Sequence, residues 1–287
     1  MKSGQKMLIA FTTVLILGPT GCVNLKSVDD YSLTSLKSIE KFEELNYSFN
    51  QHCIDHCQFE AIRKFEIKRK PEKYCGCDPY QQADKVTQLI YYSINGYFEG
   101  LSNLSNDKLT TYNFDPVTKS LKAGKFGSVE IKSEQVDAYT KISKILLKAT
   151  TDLYRKRRIK DYIEQANEPI KTLLLQFKFV LQTNLKSEIE AKKHELYNYY
   201  TEMEKDGKLS KYEQGKAVIE YYQQVSDLNA KENQIEAFAK GLDLIKEGHQ
   251  KLYDDRNKMT TKELSDILIR CSSDIQDIIS EFNKLNK

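Results

Sequence analysis

The sequence predicts a mainly α-helical protein, built as an elongated antiparallel bundle of long, coiled-coil-like helices. Apolar residues recur at three- and four-residue steps over most of the chain. Only 5 of the 287 residues are proline and 30% are charged, which is typical of long amphipathic helices with solvated outer faces. Two further features are expected beside the bundle: a helical hairpin closed by disulfides, and a small irregular or β insert.

The first 21 residues have the pattern of a signal peptide. Lys2 and Lys6 precede an apolar run from Met7 to Leu17, and a short segment of small residues and proline follows. This order is typical of secretory signal peptides. At ~1.5 Å per residue the run is too short to span ~30 Å of hydrocarbon. We therefore expect residues 1–21 to be removed and the rest of the chain to be exported.

A cysteine, Cys22, directly follows the small residues. The segment resembles the lipobox of bacterial lipoproteins, with Pro19 standing where that family has an aliphatic residue. The resemblance implies cleavage after Gly21 and acyl chains on Cys22 as the attachment to a lipid bilayer. It also implies a place in the bacterial cell envelope and, in a host with two membranes, the outer membrane facing the periplasm. The alternative is an ordinary signal peptide with a coincidental cysteine.

The charge balance argues against a nucleic-acid binder. The formal net charge is +3, and removal of Lys2 and Lys6 lowers it to +1, because no acidic residue precedes Asp29. A nearly neutral exported chain lacks the basic excess that binds phosphate backbones. The sequence also contains no nucleotide-binding loop, nucleophile elbow or serine–histidine–aspartate order. We therefore expect no enzyme activity and no cofactor.

Helical patterns and turn signals divide the chain. A first helical pattern runs from Leu33 to Phe65. A second begins at Asp78-Pro79, since aspartate and proline are typical of a helix N-cap and first turn. The predicted segments are a signal peptide at 1–21, an acylated polar tether at 22–32, a disulfide-closed helical hairpin at 33–104, an irregular or β-hairpin insert at 105–132, and a long-helix bundle at 133–287.

The insert and the bundle differ in pattern. Thr110–Phe114 and Gly127–Ile131 have strand-like compositions, whereas helical stripes resume at Ser133. A break is predicted at Asn167-Glu168-Pro169. The longest stripe runs from Tyr212 to Leu252, and at ~1.5 Å per residue the whole helix would reach ~65 Å, so the body should be elongated. Short connections make successive helices antiparallel.

The densest group of reactive side chains lies around four cysteines. On a helix Cys53 and Cys57 lie one turn apart on one face, and Cys75 and Cys77 follow after a basic stretch. In an exported chain, two close pairs are most simply two disulfides. An antiparallel approach favours the nested pairing Cys53–Cys77 and Cys57–Cys75, although connectivity cannot be deduced from sequence. A redox-active pair is a further interpretation.

A metal site competes with the disulfides. Two histidines accompany the cysteines, and Zn²⁺ or Cu⁺ accepts thiolate and imidazole ligands. The spacings are less diagnostic than paired Cys-x₂-Cys motifs, and thiolate sites compete poorly with oxidation outside the cytoplasm. The candidate ligands are His52, Cys53, His56, Cys57, Cys75 and Cys77.

Other reactive residues have plainer interpretations. His249 lies on the apolar stripe of the longest helix, where we expect a hydrogen-bonded core histidine, and His194 lies among charges, where we expect solvation. Cys271 on the last helix is interpreted as a small hydrophobic residue. The adjacent tyrosine pairs, such as Tyr221-Tyr222, are interpreted as edges of the core, because tyrosine buries its ring and keeps its hydroxyl wet.

A basic cluster offers an anionic-surface contact. Lipid headgroups or polyanionic envelope polymers could bind such a patch, and a solvated helix end is the alternative. The residues of this cluster are Arg155, Lys156, Arg157 and Arg158.

These features favour a structural or protein-interaction role. We expect a membrane-anchored helical lipoprotein of the bacterial envelope that presents its bundle to another envelope protein. A metal-binding envelope protein is the alternative, and it depends on the cysteine–histidine group. A membrane-acting, toxin-like helical protein is the second alternative, which long helices permit but which the missing apolar hairpin disfavours.

Overall fold

The computed structural model describes residues 25–64, 75–106, 120–151 and 158–285. They form the predicted antiparallel helical bundle. A 3₁₀ segment (Lys41–Leu45) extends the first helix, and a π-helical segment (Val180–Leu185) joins the fifth to the sixth. The α-helices are α1 (Lys26–Glu40), α2 (Phe49–Arg63), α3 (Asp78–Ser105), α4 (Ser133–Thr151), α5 (Ile159–Phe179), α6 (Lys186–Lys205), α7 (Lys211–Asp254) and α8 (Lys262–Leu285).

One hydrophobic core joins both ends of the described chain, from Leu25 to Phe282 on α8. Helix α1 packs against α3, α7 and α8. The prediction of a tether at 22–32 is therefore corrected from Leu25 onward, because Val28 and Tyr31 are fully buried. These apolar residues recur every three positions and give α1 a buried face within a stretch of polar composition. The predicted hairpin and long-helix bundle share this one core.

The single helix predicted over Leu33–Phe65 is two helices in the structure. Asn46 adopts the left-handed conformation (φ 49°), which ends the 3₁₀ segment. The Ser48 side chain then caps the N-terminus of α2. A second cap comes from Asp84 on α3, whose carboxylate accepts the first two backbone N–H groups of α2 at 3.0 Å. With its N-terminus capped in this way, α2 begins as a separate helix whose axis differs from that of α1.

The predicted break at Asn167–Pro169 does not occur, since α5 continues through Pro169. A proline inside a helix removes a backbone hydrogen bond. Here Pro169 is buried and the neighbouring Asn167 is bonded to His249 across the core, so tertiary packing outweighs the local preference. The irregularity falls instead at the π-helical segment.

A short β-hairpin is confirmed within the predicted insert. Strand β1 (Gly124–Phe126) pairs antiparallel with β2 (Val129–Ile131). Gly127 takes the left-handed conformation (φ 56°) that the two-residue turn requires. A Cβ at this position would meet the ring of Tyr80 at 3.3 Å, so the hairpin lies close to the start of α3. The other strand-like stretch, Thr110–Phe114, lies outside the described residues.

A buried polar network crosses the bundle at His249. Asn167 Oδ1 can only accept a hydrogen bond, so His249 Nδ1–H donates to it (3.2 Å), and Nε2 accepts from the Tyr97 hydroxyl (2.7 Å). Tyr162 stacks on the Tyr97 ring at 5.0 Å and donates its hydroxyl to the Tyr97 carbonyl. The predicted core histidine is confirmed. Burial lowers the pKa of His249 to about 3.

Mild acid is predicted to destabilise the fold through His249. Its pKa falls from 6.5 to about 3 on folding, so between these values the unfolded chain binds the extra proton. The free energy of unfolding should therefore decrease as the pH falls below about 6.5, by at most ~1.4 kcal/mol per pH unit. Urea unfolding between about pH 7 and pH 5 measures this slope.

The control for this experiment is a histidine on the surface. His249→Gln should lose the corresponding part of the pH slope, whereas His194→Gln should keep it because His194 is exposed. Equal slopes in the wild-type and His249→Gln proteins would show that this imidazole does not couple folding to pH.

Candidate functional site

The end of α6 and the first half of α7 form a two-helix hairpin that leaves the bundle. From Tyr197 to Asn233, all of which the structure describes, every residue is at least partly exposed. Helix α8 covers α7 in the bundle and ends at Leu285, beside Gln234, whose amide donates to the Leu285 carbonyl at 3.2 Å. We call residues 197–233 the stem and the bundle beyond them the body.

The turn between the two helices of the stem is specified locally. Gly207 has a left-handed conformation (φ 62°), which ends α6 at the predicted turn. Ser210 and Glu213 form a capping box at the start of α7. Hydrogen bonds from Ser210 lower the pKa of the Glu213 carboxyl. The turn at the tip of the stem is therefore specified by its own residues.

Ion pairs fix the register of α7 against the helices beside it. One lysine on α5 and two on α6 reach acidic residues of α7 that lie four and seven residues apart, which is about one and two helical turns. The hydrogen bond from Lys186 lowers the pKa of Glu236, as expected for a formed pair. Partly exposed pairs of this kind contribute roughly 0–1 kcal/mol each, so they align the helices more than they stabilise them. The pairs are Lys178–Asp243 (2.5 Å), Lys186–Glu236 (2.8 Å) and Lys193–Glu232 (2.8 Å).

Helix α2 lies along α6 and braces it through two histidines. His52 Nε2 lies 3.1 Å from the Glu188 carboxylate, and His56 Nδ1 contacts the Glu195 carboxylate farther along. The hydrogen bond from His52 lowers the pKa of Glu188. The hydroxyl of Tyr47 lies 3.1 Å from the other ring nitrogen of His52, which fixes the ring between the two partners.

Aromatic packing continues this brace into the stem. Phe59 meets Tyr199 edge to face at 5.0 Å, and the Lys192 ammonium lies 4.3 Å from the centre of the Phe59 ring. Burial lowers the pKa of Lys192. Nearer the tip, Arg63 pairs with Glu202 at 2.9 Å. Helix α2 therefore supports α6 over several turns.

Both predicted disulfides are present, in the nested pairing. Cys53 is bonded to Cys77 and Cys57 to Cys75, with Cα–Cα distances of 5.8 and 5.6 Å. They tie α2 to the residues immediately before α3. A neighbouring face of α2 contacts α6. The disulfides therefore connect the helix that supports the stem to the body.

In the described residues, the cysteines and histidines of the predicted metal site have other partners. The four sulfurs are bonded in pairs, and the histidines face carboxylates of α6. Within the described ranges, no group of three or more histidine, cysteine, aspartate or glutamate side chains is placed to hold a metal ion. Among the same residues, no helix is long and apolar enough to cross a membrane.

The remaining predicted site residues are dispersed or lie outside the described residues. Cys22, the predicted lipidation site, and Arg155, Lys156 and Arg157 are outside them. Arg158 is exposed at the start of α5, where a small cavity of about 150 Å³ opens beside it. Cys271 is half-buried and forms no disulfide. Burial raises the pKa of its thiol.

The stem exposes an aromatic surface that the sequence did not predict. Tyr212 is 80% exposed, Tyr222 66% and Ile219 59%. An open groove of about 500 Å³ lies between α6 and α7 near the tip. Its walls include Tyr197, Tyr200, Met203, Val218, Tyr221 and Tyr222.

The tyrosine pairs therefore have different environments in the body and in the stem. Tyr91 of the body is buried, as expected for a core edge. Tyr222 of the stem is exposed, so the same expectation is wrong there. Tyr91 packs against Phe42 and Phe177 in the body, whereas the stem lies beyond the end of α8. The sequence carried one signal of this difference. The apolar stripe of the fifth predicted helix is much longer than that of the last predicted helix.

Comparison with known proteins identifies no relative. No protein-family model matches the chain, and no curated protein or solved structure shows significant similarity to it. The fold and the stem surface are therefore the basis for functional inference.

Reduction of the disulfides is predicted to loosen α2. The bonded cysteines are 24 and 18 residues apart, and each closed loop contributes roughly 3 kcal/mol in the chain-entropy estimate. Hydrogen exchange with and without reductant should show faster exchange in Phe49–Arg63, while the body half of α7 keeps its protection because apolar packing holds it. A Cys271→Ser variant should behave like the wild type. Unchanged protection of α2 after full reduction would mean that the disulfides do not hold the brace.

Proposed function

We propose that this protein is a lipid-anchored helical component of the bacterial cell envelope that binds another envelope protein through its stem. The proposal combines the signal-peptide and lipobox-like sequence around Cys22 with the exposed aromatic surface of the stem. The observation that carries it is the position of Leu25, three residues after Cys22 in the sequence, at the end of the body far from the tip of the stem.

The packing of α1 on α7 defines the two ends. Tyr31 packs at Gly248 and Ser38 at Gly241, so the two helices are antiparallel. Leu25, at the start of α1, therefore lies beside the C-terminal end of α7, far from the tip of the stem. From Gly248 to the first residue of α7, the helix extends about 55 Å at 1.5 Å per residue.

An anchor at Cys22 would orient the stem. Cys22 precedes Leu25 by only three residues, so acyl chains attached there would hold this end of the body at the bilayer surface. The stem would then extend away from the membrane, with its tyrosines accessible to another protein. Exposed tyrosines grouped around a groove are typical of the centre of protein–protein interfaces, where aromatic residues are enriched.

Site-specific photo-crosslinking in intact cells tests this function. A photoreactive residue at Tyr222 should give a discrete crosslinked product, because the stem is the proposed contact surface. The matched control is Ile269 on α8, which is 54% exposed on the body and should give none. Equal products from both positions, or none from Tyr222, would contradict the role of the stem.

The same cells test the anchor. Two or three acyl chains hold a protein durably at a membrane, so the wild type should fractionate with membranes and Cys22→Ser should be released. If Cys22→Ser stays firmly in the membrane fraction, the anchor proposed here is wrong, whatever the crosslinking shows.

A further inference from the structure

The two disulfides of α2 differ in their exposure to solvent. Cys53 and Cys77 are each only 8% exposed, so the bond between them is buried. Cys57 and Cys75 are both partly exposed. We call the first pair the buried disulfide and the second pair the accessible disulfide. Because an attacking thiolate must reach a sulfur atom, this difference favours thiol–disulfide exchange at the accessible disulfide.

The chain next to the accessible disulfide is open on one side. Gly76 separates Cys75 from Cys77 and has a left-handed conformation (φ 63°), which glycine adopts without strain. It is exposed, and among the described residues beyond its two chain neighbours nothing lies within 4 Å of the place that a Cβ would take. The described residues therefore leave space for a thiol beside this segment.

The accessible disulfide lies in the part of α2 that supports the stem. His56 contacts α6 one residue before Cys57, and Phe59 packs on Tyr199 two residues after it. At the end of α2, Arg63 reaches the stem. The buried disulfide lies one turn earlier, beside the contact of α2 with the first turn of α6. Opening the accessible disulfide therefore releases the C-terminal half of α2, while the buried disulfide keeps the N-terminal half on the body.

Few other contacts hold the C-terminal half of α2. Of its residues after Cys57, all of which the structure describes, only Phe59 and Ala61 are buried. The side chains of His56 and Arg63 are 50% and 38% exposed, and contacts between exposed charged groups contribute little to stability. The position of this half of the helix therefore depends on the accessible disulfide.

We propose that the accessible disulfide is a redox switch, opened by a dithiol reductant, that controls the support of the stem. An exported chain starts in the oxidised form, which is the form described here. A thiolate of the reductant attacks one sulfur, so the Cys57–Cys75 bond breaks, a mixed disulfide forms, and the other cysteine leaves as a thiolate and takes up a proton. The second thiol of the reductant then attacks the mixed disulfide and releases the second cysteine. Two electrons pass to the protein, and the reductant leaves as its own disulfide.

The buried disulfide makes the switch reversible. Cys57 follows Cys53 by four residues, and Cys75 precedes Cys77 by two. While the buried bond is intact, the two released thiols stay close to each other, and their high effective concentration favours renewed bonding. An oxidised dithiol then re-forms the bond by the reverse exchange.

This inference deepens the proposed function and rests on it, because it assigns a regulation to the stem that is proposed to bind a partner. The exchange itself is a property of the chain alone, and it requires neither the partner nor the lipid anchor.

Selective reduction tests the exchange. The purified full chain carrying Cys22→Ser and Cys271→Ser is treated briefly with dithiothreitol, quenched with acid and alkylated before peptide mass spectrometry. The accessible disulfide should open roughly tenfold faster than the buried one or more, because the rate depends on access to the sulfur. Equal rates, or faster opening of the buried disulfide, would overturn the proposal.

The same protein unfolded in urea is the matched control for access. Both disulfides should open there at similar rates, because the fold no longer covers either of them. A difference that persists in urea would also overturn the proposal, since it would arise from the local sequence instead of the fold.

Paired variants test the effect on the stem. Cys57→Ser with Cys75→Ser mimics the opened switch, and Cys53→Ser with Cys77→Ser is the matched control. Hydrogen exchange at residues 195–202 of α6 should be faster than in the parent for the first variant and close to the parent for the second. Circular dichroism should show that both keep their helices. Unchanged exchange at 195–202 in the first variant would overturn the control of the stem.

Photo-crosslinking from Tyr222 in cells separates this inference from the proposed function. The crosslinked product should decrease in the variant that lacks the accessible disulfide, because its stem has lost support. Equal products in the parent and this variant would overturn the switch and leave the proposed function intact. No product from either would contradict the proposed function, whereas selective reduction and hydrogen exchange would still decide the switch.

Discussion

The length of α7 relative to its neighbours is the constraint on which the rest of the structure depends. Helix α7 has 44 residues, whereas α8 has 24 and α1 has 15. Where all three run together, they enclose a continuous core that includes the His249 network. Beyond the end of α8, the N-terminal half of α7 is packed against neither α8 nor α1. A two-helix hairpin alone buries little apolar surface, so the stem needs support from elsewhere.

Helix α2 provides that support, and its contacts connect the fold to the proposed function. Histidine–carboxylate contacts and the packing of Phe59 hold it against α6, while two disulfides hold it to the start of α3. Covalent bonds are well suited to an element with few buried side chains, because they do not depend on core area. The groove of the stem, with Tyr197, Tyr200 and Tyr222 in its walls, remains open.

The sequence predicted features that depend on local spacing and missed those that depend on distant neighbours. One-turn spacing of Cys53 and Cys57 indicated the nested disulfides, and the stripe around His249 indicated a core histidine. The left-handed Asn46, which divides the first helix, has no periodic signal. The helix continues through Pro169 because its neighbours pack there, and Tyr222 is exposed in a stem that lies beyond the end of α8. Both depend on helices far away in the chain.

The distance between the two ends of the molecule tests the account most directly. Spin labels at Lys26, at the start of α1, and at Lys208, in the tip turn, can be placed in a Cys22→Ser, Cys271→Ser background with both disulfides intact. Pulsed electron spin resonance on protein diluted with unlabelled chain should give a distance of about 60 Å, set by the rise of α7. A main distance below about 40 Å would mean that the stem folds back on the body, and the account would then be wrong.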